Sequence, residues 1–325
     1  VRGLLAIALV GCYSPQPVPG SPCDVAHPCP DPLVCSVAGF CAKPGTPTGD
    51  APLPYDVSLI DTPPGPPNDL PSGATVITGT MTITEDITYA HDDAMGDGTT
   101  ICGATGGRDV YFTFHNNYPQ VWYFDTFGSD YDTVFRFYSG ACMTGAPVGQ
   151  GCHNNQCRTV QTQFARSFDA GDWCLVVDEN VGGTGPAHLV LNVEKGVHNG
   201  SPLSSGTNTV TDNTCGGASF NMGSCGGSAG PEVNYFTTSC PGVTTMLDAS
   251  TCAAATTSDT IIYVRTVTSE LACNDNDPAC TLTTTGASTL TGVGLTGAHL
   301  FWLVVDSAGT AAPACGPFSL TTTLQ

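Results

Sequence analysis

Two short stretches carry the side chains with the most chemical potential. Asp275-Asn276-Asp277 offers three oxygen-bearing side chains in a turn bounded by Cys273 and Cys280. Calcium collects about six to eight oxygen ligands from loops. Asp259 and Asp306 fall at strand ends that can bring further carboxylates to this turn. Earlier in the chain the corresponding positions are Asp132, Asn154, Asn155 and Asp178, with His153 and Asn standing where the later stretch has Asn274 and Asp. Its lower charge predicts weaker calcium binding. Neither stretch reaches the EF-hand pattern D-x-[DN]-x-[DN]-G. Asn and Asp also fold turns by bonding their own backbone, so calcium binding and turn chemistry are both open.

Catalytic arrangements are scarce. Seven His stand at 27, 91, 115, 153, 188, 198 and 299, and none forms H-E-x-x-H. The G-x-S-x-G match Gly226–Gly230 is followed by Pro231 and the strand phrase Val233–Thr237, where a nucleophile elbow needs a helix. The acidic pairs Asp130/Asp132 and Asp275/Asp277 each bracket a turn, whereas a glycosidase needs carboxylates converging across a cleft. We read no catalytic site. With 8 Lys or Arg against 28 Asp or Glu, the net charge is −20. That leaves no basic footing for phosphate, which excludes nucleic acid as a partner. The aromatic phrase Val121-Trp122-Tyr123-Phe124 offers a face for polysaccharide, although strand alternation sends half of such residues into a core.

The 17 cysteines include no C-x2-C pair, so disulfides are favoured over structural zinc and the folded part belongs outside the cytoplasm. The start, VRGLLAIALVGCYS, resembles a bacterial lipoprotein signal whose lipobox is Leu9-Val10-Gly11-Cys12. The resemblance implies cleavage before Cys12 and lipidation of its thiol. Tyr13 after it implies the outer membrane, with the protein exposed on the cell envelope. Cys23, Cys29, Cys35 and Cys41 follow at even spacing, which calls for two bridges in one of three connectivities. This module is similar to short EGF-like or Dickkopf-like modules of bacterial surface lipoproteins.

Further on, five cysteines (102, 142, 152, 157, 174) and then seven (215, 225, 240, 252, 273, 280, 315) occur. Both counts are odd, so either a bridge crosses between the two groups or two thiols stay free. Short loops favour Cys142–Cys152, Cys240–Cys252 and Cys273–Cys280, and Cys157–Cys174 can join a turn to the next strand.

The elements that position these groups are strands. Gly (39) and Pro (25) are abundant and starve the chain of long helices. Phrases such as VYFTF, TVFRFYS, WCLVVD and HLVLNV alternate or run apolar between turn residues, which is strand signal at sandwich spacing. They also repeat. Gly107–Thr113, Tyr123–Thr126, Tyr131–Phe135, Cys152–Cys157 and Trp173–Asp178 recur in order as Gly230–Thr237, Met246–Ala249, Ser258–Ile262, Cys273–Cys280 and Phe301–Asp306. The expected layout is a signal at 1–11, a Pro-rich tether at 12–22 and the four-Cys module at 23–43. A Pro-rich stalk follows at 44–72, then two sandwiches at 73–197 and 198–325.

GGRDVYFTF, FDTFGSDYDTVFRFYSG, SDTIIYVR, LACNDNDPAC and LFWLVVD resemble phrases of the bacterial pre-peptidase C-terminal domain. That resemblance implies two tandem jelly-roll-like antiparallel β-sandwiches without catalytic activity. The chain as a whole reads as an all-β, lipid-anchored surface protein whose modules bind a polysaccharide or another surface protein. An exported hydrolase and a structural coat protein are the other readings.

Overall fold

The computed structural model describes residues 23–36, 39–44, 63–94, 106–144, 146–226, 230–282, 286–309 and 314–325. The signal, Cys12, the tether and most of the stalk lie outside them, as does Ser228 of the G-x-S-x-G match. Two units divide between Thr62 and Pro63. In the first, strands β1 (Val34–Cys35) and β2 (Cys41–Ala42) pair over a core of little more than Cys23, Leu33 and Cys41. Bridges Cys23–Cys35 and Cys29–Cys41 supply what so small a core cannot. The second unit begins at Pro63, ahead of position 73. Asn68 is already buried there, its carbonyl accepting the Tyr111 amide at 2.9 Å.

Each repeat is a sandwich of a five-stranded and a four-stranded sheet. In the first repeat one sheet runs β3 (Thr75–Ile77), β5 (Asp109–Asn116), β10 (Gly171–Glu179), β7 (Thr133–Ser139) and β8 (Ala146–Asn154). The facing sheet runs β4 (Met81–Asp86), β11 (His188–Lys195), β6 (Gln120–Asp125) and β9 (Gln163–Phe168). The second repeat copies this order. Its sheets are β12 (Ser201–Pro202), β14 (Glu232–Thr238), β19 (Leu300–Ser307), β16 (Thr260–Arg265), β17 (Glu270–Asp275), and β13 (Gly206–Asn213), β20 (Pro317–Leu324), β15 (Thr244–Ser250), β18 (Thr289–Thr296). Pairing is antiparallel except at the short edge strands β3 and β12, which run parallel to their neighbours. No α-helix occurs among the described residues.

Period-two alternation builds the first core. Val110, Phe112 and Phe114 of β5 meet Trp122 and Phe124 of β6, with Phe135, Phe137, Leu175, Val177 and Leu191 around them. A second core forms in the same way around Ile262, Leu303, Val305, Phe318 and Leu320. The opposite faces of two strands are apolar as well. Val121 and Tyr123, on the outward side of β6, pack with Phe236, Ile261, Tyr263, Leu300, Trp302 and Val304 of the second repeat in a third core. The sandwiches therefore stack face to face. All four residues of Val121–Phe124 are inside, so this phrase offers no surface to a polysaccharide.

Polar links reinforce the seam. Glu194 accepts the Leu300 amide at 2.8 Å and pairs with His299 Nδ1 at 2.5 Å. Gln163 Nε2 donates to the Ser239 carbonyl at 2.9 Å. A Cβ at Gly196, in the connection between repeats, would overlap the Trp302 ring.

The disulfides correct the local pairings expected from loop length. Cys142 bridges Cys174, Cys225 bridges Cys273, Cys252 bridges Cys280, and Cys215–Cys315 closes a separation of 100 residues. Cys157–Cys240 crosses between the repeats, which resolves the two odd counts. Cys152 is bridged too, but not to Cys142. In a sandwich, spatial neighbours sit on paired strands distant in sequence: Cys174 of β10 pairs with Tyr138 of β7, just ahead of Cys142. Trp302→Ala should cost about 3–5 kcal/mol, as for other buried aromatic truncations. Equilibrium denaturation with the bridges intact measures it, and a loss below about 1 kcal/mol would mean the seam is not packed.

Candidate functional site

The acidic turn of the second repeat is built on a triad of buried hydroxyls. Thr251 and Thr260 share a hydrogen bond of 2.6 Å between their Oγ1 atoms, and the Ser288 amide donates to Thr251 Oγ1 at 2.9 Å. Ser288 Oγ in turn donates to the Thr260 carbonyl and lies 3.3 Å from the Asn276 amide. With Thr260 N donating to the Gly286 carbonyl and Asp277 N to the Ala287 carbonyl, both at 2.7 Å, the loop is pinned to the start of β16. Asn276 takes φ of 62°, the left-handed region in which Asn is the most tolerant non-glycine residue.

This brings Asp259, Asp275 and Asn276 together. A side chain at position 286 would overlap both Asn276 Oδ1 and Asp259 Oδ1, so glycine there lets the two oxygens converge. Oδ1 of Asp259 and Oδ1 of Asp275 are both buried with no hydrogen-bond partner. Burial raises both carboxyl pKa values, and the neighbouring Asp275 charge raises Asp259 further. Partnerless buried oxygens on two adjacent carboxylates fit a cation.

The other expected ligands are placed elsewhere. Asp277 Oδ1 accepts the Ala279 amide at 2.9 Å and shapes the turn. Asp306 and Asp275 lie on opposite sides of Ile261 in the ladder, which separates them.

The first repeat carries the same scaffold with less charge. Thr126, Thr133 and Thr162 form the equivalent triad, with Oγ1 atoms of Thr126 and Thr133 2.5 Å apart. Asn155 takes φ of 54° beside Asn154, at the end of β8. Asp132 Oδ1 is buried without a partner, while its Oδ2 accepts Asn180 Nδ2 at 2.9 Å. Asn154 replaces the second carboxylate. Asp178 is set apart by Val134 and is held by Arg136 at 2.8 Å. Asp130 pairs with His188 at 2.7 Å. His153 stacks on Phe164 at 3.8 Å, and burial pushes its pKa down to about 4, so it is a neutral packing residue.

Sequence reasoning missed a buried carboxylate pair on the outward face of the β14–β19 ladder. Glu232 lies opposite Asp306 there, in register. Glu232 accepts the Asn221 amide at 3.0 Å and Asn221 Nδ2 at 2.8 Å, and His198 Nε2 lies 3.6 Å away. Asp306 is fully buried; its Oδ1 accepts the Ser307 amide at 2.7 Å and its Oδ2 has no partner. Where the first repeat sets Arg136 against Asp178, the equivalent position here is Tyr263. The VVD ending shared by both repeats was the available signal.

The fold and sites define a tandem, disulfide-stapled β-sandwich protein. No protein-family model matches the chain, and no curated protein matches it. Among solved structures it is similar to the pre-peptidase C-terminal domain of collagenase from Bacillus anthracis. That likeness is 13% identity over 37% of this chain and 94% of the domain, with a TM-score of 0.25. The CUB1-EGF-CUB2 domains of rat MASP-1 are 8% identical over 77% of this chain and 99% of theirs, with a TM-score of 0.21. Likenesses this distant leave function to the geometry of the chain itself.

Burial, and then the nearby Glu232 charge, push the Asp306 carboxyl up to about 7, against about 3.9 for an unfolded Asp. The folded state therefore binds more protons between those values, and this group's contribution to stability is lost as pH rises from about 4 to about 7. Asp306→Asn should flatten that fall and raise the melting temperature at pH 8 relative to the parent. A variant that loses more stability at pH 8 than at pH 5 would contradict the assignment.

Proposed function

We propose that the protein is a non-catalytic surface protein of a bacterial cell envelope. It is anchored through lipidated Cys12 in the outer membrane, and its stiff double sandwich contacts a polysaccharide. The observation that carries this reading is the outward face of the last sheet. Across its strands Thr207 meets Thr323 at 3.0 Å, Thr209 meets Thr321 at 3.1 Å, Thr244 meets Thr296 at 3.1 Å and Ser250 meets Thr289 at 2.9 Å. Each hydroxyl both donates and accepts, and neighbouring strands repeat about every 4.8 Å. Such a face suits the hydroxyls of a neutral polysaccharide. The third core and Cys157–Cys240 support the display role, because they remove any hinge between the sandwiches.

Calcium belongs to this proposal as a structural ion. Asp259, Asp275 and Asn276 would hold it in the second repeat, with backbone carbonyls and water completing the shell. In the first repeat Asp132, Asn154 and Asn155 would hold it more weakly, having one carboxylate in place of two. The ion would relieve the repulsion between Asp259 and Asp275 and clamp the loop that the hydroxyl triad pins.

Cells expressing the full chain should be retained on at least one of cellulose, chitin and agarose. Thr209→Glu with Thr321→Glu should abolish retention and leave labelling by a palmitate analogue intact, whereas Cys12→Ser should abolish the label. Retention on none of the three polymers, or undiminished by the two Glu changes, overturns polysaccharide contact. A label that survives Cys12→Ser overturns the anchor.

The intact chain should melt at higher temperature in millimolar calcium than in chelator, by mass action on the folded state. Asp275→Asn should remove most of that rise, and Asp132→Asn less of it. Equal melting temperatures in chelator and calcium would leave these residues as turn formers.

A further inference from the structure

The segment that enters the first sandwich from Pro63 folds back over the start of β5, and three ligand-bearing side chains meet there. Asp69, His91 and Asp93 each place one donor atom so that all three lie within 4.8 Å of one another. Among the described residues, the other such group of His, Cys, Asp or Glu is Cys23, Cys29 and Cys41, whose sulfurs are already in bridges. Asp69 is nearly buried. Its Oδ1 accepts the His91 amide at 2.7 Å and its Oδ2 lies 2.6 Å from His91 Nδ1.

Asp109 supports this turn from beneath. It is fully buried, its Oδ2 accepts the Asp93 amide at 2.8 Å and the Ala94 amide at 2.6 Å, and its own amide donates to the His91 carbonyl at 3.1 Å. Its Oδ1 is buried, with the Tyr111 hydroxyl as its neighbour.

Other histidines differ. His115 and His299 each meet a single carboxylate, at 2.7 Å and 2.5 Å, and His188 pairs with Asp130 at 2.7 Å opposite Asp86 without bringing three donor atoms together. One acid makes an ion pair. Two acids converging on one imidazole, on a turn whose amides Asp109 holds from within, make a ligand set.

We infer that Asp69, His91 and Asp93 bind a divalent transition ion of the zinc class, on a turn held in place by Asp109. Zinc takes imidazole nitrogen and carboxylate oxygen at about 2.0–2.2 Å, and with three protein ligands it keeps a water in the fourth position. Donors around such an ion stand roughly 3–4 Å apart, so the exposed His91 and Asp93 need only a small inward adjustment. The nitrogen donor sets this site apart from the all-oxygen turns proposed for calcium. The ion takes the place of the His91 Nδ1 proton: from a neutral ring that proton moves to Nε2, and from an imidazolium it passes to the buffer while Nε2 keeps its own. Affinity therefore falls in acid.

The test uses the full chain without a histidine tag, stripped with chelator and then freed of it. Calorimetric titration with zinc chloride should give a single site per chain, and cobalt(II) should give the visible bands of a low-coordinate ion. His91→Ala and Asp93→Asn should each weaken zinc at least about tenfold, while His188→Ala leaves it unchanged. His91 is exposed, so its variant should keep the parent's melting curve, and any calcium response should persist in it, separating this site from the acidic turns. No zinc uptake, or uptake undiminished by His91→Ala, overturns the proposal.

Discussion

The apolar seam between the two sandwiches is the constraint on which the rest of the molecule depends. A sheet with one face on its core normally presents polar residues on the other. Here β6 and β19 are buried on both sides, with Val121 and Tyr123 meeting Trp302 and Val304 across the boundary. Separating the repeats would expose that whole surface to water, at a cost that grows with the apolar area uncovered. Gly196, Glu194 and Cys157–Cys240 all serve the same contact. The two repeats thus form one folded body in which neither half is complete.

Much of the fold was legible because strand alternation is a local signal. VYFTF and HLVLNV place their own inward residues, and the recurrence of phrases in fixed order announces two sandwiches. The seam was legible in part: LFWLVV, six apolar residues without alternation, is the mark of a strand covered on both faces. Disulfide pairing was not, because it follows adjacency across sheets, and Cys142 meets Cys174 only once β7 lies beside β10. The acidic turn was half legible. Asp259, Asp275 and Asn276 converge, whereas Asp306 and Asp178 are turned away by an intervening Ile261 or Val134. The Asp69–His91–Asp93 group was invisible, since β3 and β4 separate Asp69 from the other two and they are joined only when Asn68 docks on β5.

The two repeats share a scaffold of buried hydroxyls and diverge in charge. Thr126, Thr133 and Thr162 answer to Thr251, Thr260 and Ser288, and in both copies the triad ties a loop to the strand that follows the acidic position. Neutral hydroxyls tolerate full burial when each finds a partner, so this lock works at any pH. Around it the copies have gone separate ways. Arg136 pairs with Asp178 in the first, while Tyr263 takes that position beside Asp306 in the second, and burial raises both carboxyls to about 7.

The stacking mode also carries a hazard. One repeat's four-stranded sheet docks on the next repeat's five-stranded sheet, a head-to-tail contact, and such contacts repeat without limit unless something closes them. Left open, the same rule would string molecule after molecule into a fibre. Both ends are stopped. In the first repeat, the position matching Trp302 is Cys174, drawn into a bridge with Cys142 and packed with Ala94, Tyr111 and Tyr138. In the second, the ladder to β20 sets Met246 and Asp248 where Val121 and Tyr123 stand, correcting by two residues the match of Tyr123 with Met246 expected from the phrases, and both lie among hydroxyl pairs that no apolar face would cover. The sequence differences between the repeats thus end the stack at two sandwiches.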